Sequence, residues 1–354
     1  MSNITASMVK ELRETSGAGM MDCKTALQEN DGNIEAAVDW LRTKGLAKAA
    51  KKAGRVAAEG LVSVMANGTS GAVVEVNSET DFVARNDTFQ GMVREIAGVA
   101  LNGDGTHENL LAADFPGAGK TVEAHVTEMV GTIGENMNVR RSQKLSVENG
   151  VIASYIHGAV VDGLGKIGVL VALESTGDTA KLEALGRQIA MHVAATSPLA
   201  ANEADLDPAE IERERAVLVA EAKESGKPDE IIEKMVDGRI RKFLEEVVLT
   251  SQVFVIDGET RILKVLENAA ADVGAPVALK AFVRFELGEG VDKGEEADFA
   301  SNYYNKTEVD TKFSTTDGLL DGLILANYQS QIDDLQGQID NIDTTGSPAG
   351  IEIS

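Results

Sequence analysis

The sequence predicts an α+β protein of several parts, and three observations carry that reading. Three short helical patterns fill the first fifty residues. A unit of strand, hairpin loop, strand and amphipathic helix occurs twice, at 60–101 and again at 150–195. Two further helices, each with a proline at its start, follow within 204–247.

In the first part, Ile4, Met8 and Leu12 recur at helical spacing, and a second helical run, Met21–Leu27, follows a Gly-Ala-Gly break. Asn33 stands where the N-cap of a third helix belongs, ahead of Ile34, Val38 and Leu41. The Ala/Lys-rich stretch TKGLAKAAKKAGRVAAEG (43–60) reads as a helical connector. GLVSVMANGTSGAVVEVNSE (60–79) gives two strands, and a helix follows around TFQGMVREIAGVAL (88–101). The second copy runs from GVIASYIHGAVVDGLGKIGVLVALES (150–175) to a helix around LEALGRQIAMHVAA (182–195), and the alternation in Ala72–Val76 and Val169–Leu173 suits half-buried or fully buried strands.

The break SGKP separates the two helices of 204–247 and predicts an antiparallel helical hairpin. QVFVI (252–256) and AFVRFEL (281–287) read as strands flanking a helix at about 260–270, completing the second sheet. From Ser301 the composition shifts to Asn, Thr, Asp, Gln and Gly. The expected parts are a helical head at 1–53, core subdomains at 54–145 and 146–300, and an appended tail at 301–354.

Thirty-three basic against 57 acidic residues give a formal charge of -24, which repels phosphate backbones and anionic membranes and argues against a nucleic-acid partner. No apolar run approaches the roughly 20 residues of a membrane helix, and the N-terminus lacks the apolar core of a signal peptide, so a cytoplasmic location is expected. The single cysteine, Cys23, excludes an internal disulfide and reads as a small core residue.

Several catalytic patterns are missing. GLGKIG (163–168) has the G-x-G-x-x-G spacing but lies between two strands, with no helix N-terminus to receive a pyrophosphate, so it reads as a hairpin loop. PGAGKT (116–121) ends like a phosphate loop, yet Asp114 holds the place of its first glycine. His107, His125, His157 and His192 are dispersed without metal-ligand spacing, and His192 reads as a satisfied core or helix-face residue. No serine sits in a nucleophile elbow. Neither a cofactor nor a metal is expected.

Seven stretches resemble the bacterial elongation factor Ts family, in that family's order. They are LRETSGAGMMDCKTAL (12–27), ETDFVARN (79–86), IGENMNVRR (133–141), SYIHG (154–158), IAMHVAA (189–195), SGKP with KMVDGRIRKF, and FVRFELGEG (282–290). The resemblance implies a ubiquitin-associated-like helical head, a two-part core and a protruding helical hairpin. It also implies a guanine-nucleotide exchange factor that binds elongation factor Tu in its GDP-bound and nucleotide-free states, and not an enzyme.

The same resemblance assigns residues. Thr80, Asp81, Phe82 and Val83 fall in the loop that enters the partner's G domain, with Phe82 the wedge that dislodges Mg²⁺ and Asp81 its polar companion. From spacing alone, Ser78 to Asp81 fit a capping box and Phe82 could pack under the following helix. Lys10, Arg13, Met20 and Met21 match head positions turned toward the G domain, although adjacent methionines also suit a core. Ile133 and Gly134 match a contact near the partner's phosphate loop, against an N-terminal helix turn. His157 matches another contact, against a strand-end histidine. Val255 and Ile256 match a patch facing a different partner domain, against strand core.

Past residues 298–300 the family's Ala-rich helix gives way to another sequence, and SNYYNKTEVDTKF resembles bacteriophage tail-fibre spacers. Leu325, Tyr328, Ile332, Leu335, Ile339 and Ile342 form a three-heptad seam, read either as a short coiled coil that weakly self-associates or as a disordered tail. Two other functions compete: an oligomerising fusion with an inactive exchange-factor body, and a peptide-binding adaptor built on the head.

Overall fold

The computed structural model describes residues 4–16, 18–224 and 228–292. The fibre-like segment and the heptad seam lie outside them. Three helices, α1 (Ala6–Ser16), α2 (Met20–Glu29) and α3 (Ile34–Lys52), make the head. Leu12, Cys23, Ala26, Leu27 and Ala37 form its buried centre, so Cys23 is a core residue. Asn33 caps α3, its Oδ1 accepting from the Ala36 N–H at 3.0 Å. The stretch expected as a helical connector is helical as far as Lys52, as the continuation of α3. Ala and Lys are strong helix formers and nothing in 43–52 stops the helix.

The chain continues with β1 (Glu59–Asn67), β2 (Ser70–Ser78), a single turn α4 (Asp81–Ala84), α5 (Asp87–Asn102), α6 (His107–Ala112), α7 (Val122–Ile133) and β3 (Met137–Ser146). The second half comprises β4 (Gly150–His157), β5 (Leu164–Gly165), β6 (Ile167–Glu174), α8 (Thr179–Thr196), α9 (Pro208–Glu224), α10 (Asp229–Val247), α11 (Ile262–Val273) and β7 (Ala278–Glu286). One sheet has the order β3-β2-β1-β5 and the other β4-β6-β7. Their neighbours pair antiparallel.

Alternation along the strands assigns each face to a different core. Leu61, Ala72, Val74 and Val76 pack with the apolar faces of α5 and α7. From the opposite face, Val62, Val64 and Val73 meet Ile152, Leu170, Ala172, Val283 and Phe285 of the second sheet. Val169, Val171 and Leu173 then point outward to α8 and α11. The core is therefore four layers, helices on sheet on sheet on helices, which is why its central strands are apolar on both faces. The sheets approach closely at Gly168, where a Cβ would lie 2.6 Å from Val62 Cγ1. The last glycine of GLGKIG thus serves sheet packing.

The internal repeat is longer than a hairpin and a helix. Before α7, Asp114 bridges to Thr121 and the Phe115 N–H donates to the Lys120 carbonyl at 2.8 Å. Before α11, Val253 bridges to Arg261 and the Phe254 N–H donates to the Thr260 carbonyl, also at 2.8 Å. Each turn buries its phenylalanine, and each following helix ends on a left-handed glycine, Gly134 or Gly274, before a strand. QVFVI (252–256), expected as a strand, is therefore a turn. Of its apolar residues only Phe254 is buried, while Val253, Val255 and Ile256 are exposed.

Helices α9 and α10 pack through Leu218, Ala222, Ile232, Val236 and Ile240, with Arg215 donating to Asp237 at 2.8 Å. Glu75 is fully buried on β2. A bulge between Glu75 and Val76 sets two consecutive arginines beside it. Arg140 donates to both carboxylate oxygens at 3.2 Å, Arg141 Nε donates at 2.5 Å and the Gly288 N–H at 2.8 Å. This ties the exit of β7 to the first sheet.

Candidate partner-binding surfaces

Residues 79–86 leave β2 and coil once as α4 before α5 begins. Asn86 is the N-cap of α5, its Oδ1 accepting from the Thr88 and Phe89 N–H groups. The capping box at 78–81 does not form; Ser78 Oγ instead donates to the Thr80 carbonyl at 3.0 Å. Glu135, one residue beyond the α7 cap, accepts from the Thr80 N–H at 2.9 Å and from Thr80 Oγ1 at 2.7 Å. Glu79 accepts from the Asn136 N–H at 2.6 Å and from Arg55 at 3.3 Å, and Asn136 Nδ2 donates to the Arg55 carbonyl at 2.7 Å. Lys52, the last residue of α3, donates to the Gly134 carbonyl.

Two sites of charge-assisted bonding thus clamp the loop from below. Val83 and Ala84 are buried in the first core, so Val83 holds α4 down and offers no surface. Phe82 is turned out, 75% exposed, and does not pack under the following helix. Asp81 is half-exposed and accepts from Arg85 at 3.3 Å, one turn on. An aromatic ring on a rigid base can offer a large contact area with few rotamers to lose.

Ile133 and Gly134 are not at a helix N-terminus. They end α7, with Gly134 at φ +92°, and lead directly into the Glu135–Asn136 clamp. The structure therefore brings Ile133 and Gly134 to the base of the Phe82 loop.

The four head residues also come together. Lys10, Arg13, Met20 and Met21 line one groove of about 480 Å³ with Ile4, Val9 and Lys24. Met20 and Met21 are exposed and do not fill the head core. An apolar floor with a basic rim fits an acidic, amphipathic surface. The head is fixed to the core where α3 lies against α7.

His157 ends β4, exposed, with Tyr155 Oη 3.2 Å from its Nδ1. Val255 and Ile256 are about half-exposed at the tip of the turn before α11, and Val253 in the same turn is exposed too. Beneath that turn lies His192, fully buried, with burial holding its pKa below the usual histidine value against the opposing effect of the hydrogen bond it donates to Gln252. Among the described residues no group of His, Cys, Asp and Glu is placed to hold a metal, and no helix is long and apolar enough to cross a membrane.

A sequence model described as "Elongation factor TS" matches residues 79–289, beginning at the Phe82 loop and ending at the glutamate that meets Arg141. The chain belongs to the elongation factor Ts family. Elongation factor Ts of Parvibaculum lavamentivorans is 66% identical over 301 residues, covering 85% of this chain and 97% of the relative. Those of Rhodospirillum rubrum and Rhodospirillum centenum are 64% and 60% identical over 302 and 301 residues, with 97% and 98% of the relatives covered. Elongation factor Ts membership accounts for the seven stretches singled out above. Within them, reading the sequence missed the clamp, Glu79 with Glu135 and Asn136. Its one legible signal was Gly134, a helix-ending glycine that places the next residues back against the preceding sheet.

Proposed function

We propose that this chain is a guanine-nucleotide exchange factor for elongation factor Tu, acting from the cytoplasm and through binding alone, with no covalent step of its own. The observation that carries the reading is Phe82, exposed on a helical turn braced by Glu135 and buried Val83. A GTPase holds GDP through backbone donors and a Mg²⁺ that bridges its phosphates. A rigid aromatic pressed between elements of that G domain displaces the metal's supports without losing much rotamer freedom. Asp81 beside it offers a carboxylate to exposed N–H groups of the partner.

The head groove, Ile133–Gly134, His157 and the Val255–Ile256 turn supply further contacts that hold the partner while Phe82 works. Exchange then needs only differential affinity: the factor binds the nucleotide-free partner more tightly than the GDP form, and GDP weakens the factor by the same ratio. The test is release of a fluorescent GDP analogue from elongation factor Tu. Phe82→Ala should slow stimulated release by at least tenfold and leave the melting temperature unchanged, because an exposed ring contributes little to the fold. Release at the wild-type rate by the variant would discard Phe82 as the wedge, and absence of stimulation by the wild type would discard the function.

A further inference from the structure

We infer that His192 is the positioning residue for the Val255–Ile256 contact turn, held in a single tautomer by bonds on both ring nitrogens. The inference rests on the proposed role of that turn. His192 lies on α8 with no exposed surface. Its Nδ1 is 3.2 Å from the Val255 backbone nitrogen, which can only donate, so Nδ1 carries no proton and Nε2 carries it. Nε2–H then donates to Gln252 Oε1 at 2.8 Å.

That amide is fixed in turn. Thr196 Oγ1 donates to the same Oε1 at 3.0 Å, and Gln252 Nε2 donates to the Glu246 carbonyl near the end of α10 at 2.5 Å. The Phe254 ring lies against the imidazole, centroids 5.9 Å apart. One buried ring therefore joins a core helix, the end of the α9–α10 pair and the turn. It grips the turn at the backbone of the first of its two contact residues, whose side chain faces solvent. Phe254 alone would anchor the turn by burial, which is non-directional. The bond to the Val255 N–H fixes its orientation.

The two ring nitrogens separate this role from packing. Asn at position 192 keeps an acceptor near Nδ1 and loses the arm to Gln252; Gln keeps a donor near Nε2 and loses the bond to Val255. In the isolated full chain, the Val255 amide should exchange about tenfold faster in His192→Gln than in His192→Asn, and the wild-type imidazole should show the nitrogen shifts of an Nε2–H ring. His192→Gln should weaken binding to nucleotide-free elongation factor Tu by about fivefold, the worth of one directional hydrogen bond, with His192→Asn within about twofold of wild type. Equal affinities for the two variants, equal Val255 exchange, or an Nδ1–H ring would overturn the inference. A Val255→Ala, Ile256→Ala double variant run alongside reports on the turn's role itself. If it binds as wild type, the contact assignment fails, while the Val255 exchange still decides whether His192 positions the turn.

Discussion

The crossing of α3 and α7 predicts that one substitution made at two facing glycines will have unequal effects. A Cβ added at Gly131 would lie 2.8 Å from Gly45 Cα, 3.1 Å from its carbonyl oxygen and 3.2 Å from its carbonyl carbon, all backbone atoms that cannot rotate away. Restoring ordinary contact of about 3.6 Å requires the helices to part by roughly 0.8 Å. Overpacking of this kind costs about 1 to 3 kcal/mol. The gain from replacing a helical glycine by alanine, about 1 kcal/mol, offsets part of it. At Gly45 the same methyl meets nothing nearer than Gly131 Cα at 3.9 Å, so Gly45→Ala keeps the propensity gain unopposed. Gly45→Ala should therefore stabilise, and Gly131→Ala should fall below it by the overpacking cost. Trp40, the chain's single tryptophan, sits on α3, so its fluorescence during urea unfolding reads the head directly. Since the head groove and Phe82 ride on opposite sides of this crossing, Gly131→Ala should also slow GDP release. Equal stabilisation by both variants would refute the close crossing.

Glu135→Ala removes both acceptors of Thr80 and should loosen the Phe82 loop, raising amide exchange at Thr80 and slowing GDP release, with a stability loss of about 1 to 3 kcal/mol; release at the wild-type rate would show the clamp to be dispensable. Glu75→Ala leaves Arg140 and Arg141 facing a buried gap and should cost about 3 to 5 kcal/mol in urea unfolding, and a loss under 1 kcal/mol would contradict the lock. His125 and His192 both have pKa values depressed below 6.5, chiefly by burial. At His125, Glu128 opposes the depression and Lys120 adds to it, whereas His192 faces the uncharged Gln252, Thr196 and Phe254. Unfolding lets both rings bind protons more readily, so stability is full above the unfolded value and falls as pH drops through it toward the folded pKa values. The slope is at most about 1.4 kcal/mol per pH unit for each histidine. Urea midpoints at pH 7.5 and 5.5 check this; His125→Gln should flatten the dependence, and greater stability at pH 5.5 would reverse the sign argued here.

What the sequence made legible was local. Asn33 announced a helix start because its side chain must meet an orphaned N–H three residues on, and the Val-rich run of β2 announced a strand because branched side chains pack well on a pleated backbone. The turn at 252–256 escaped because a five-residue apolar run has the same composition whether it pairs or folds back, and only Phe254 enters the core. Glu75 and Glu135 were two acids among 57. Their roles depend on arginines 65 and 66 residues away and on a threonine 55 residues away, separations that no local pattern encodes. Phe82 itself was ambiguous in isolation. Its exposure is decided by Val83 and Ala84, which take the inward positions of a single helical turn and leave it the outward one.

The short strand β5 has a consequence for any attempt to divide the molecule. Leu164 and Gly165 come from the second core subdomain yet pair with Ser63 and Val62 of β1. A fragment ending after β3 would leave β1 with free N–H and C=O groups at Val62 and Ser63, and the face carrying Val64 and Val73 would lose its opposing sheet. Such a bare margin invites a second chain to add itself as the missing strand. The two halves look like duplicated modules, but each is a chaperone to the other's adhesive surface, and the fragment alone should recover as aggregates unless the second half is supplied with it.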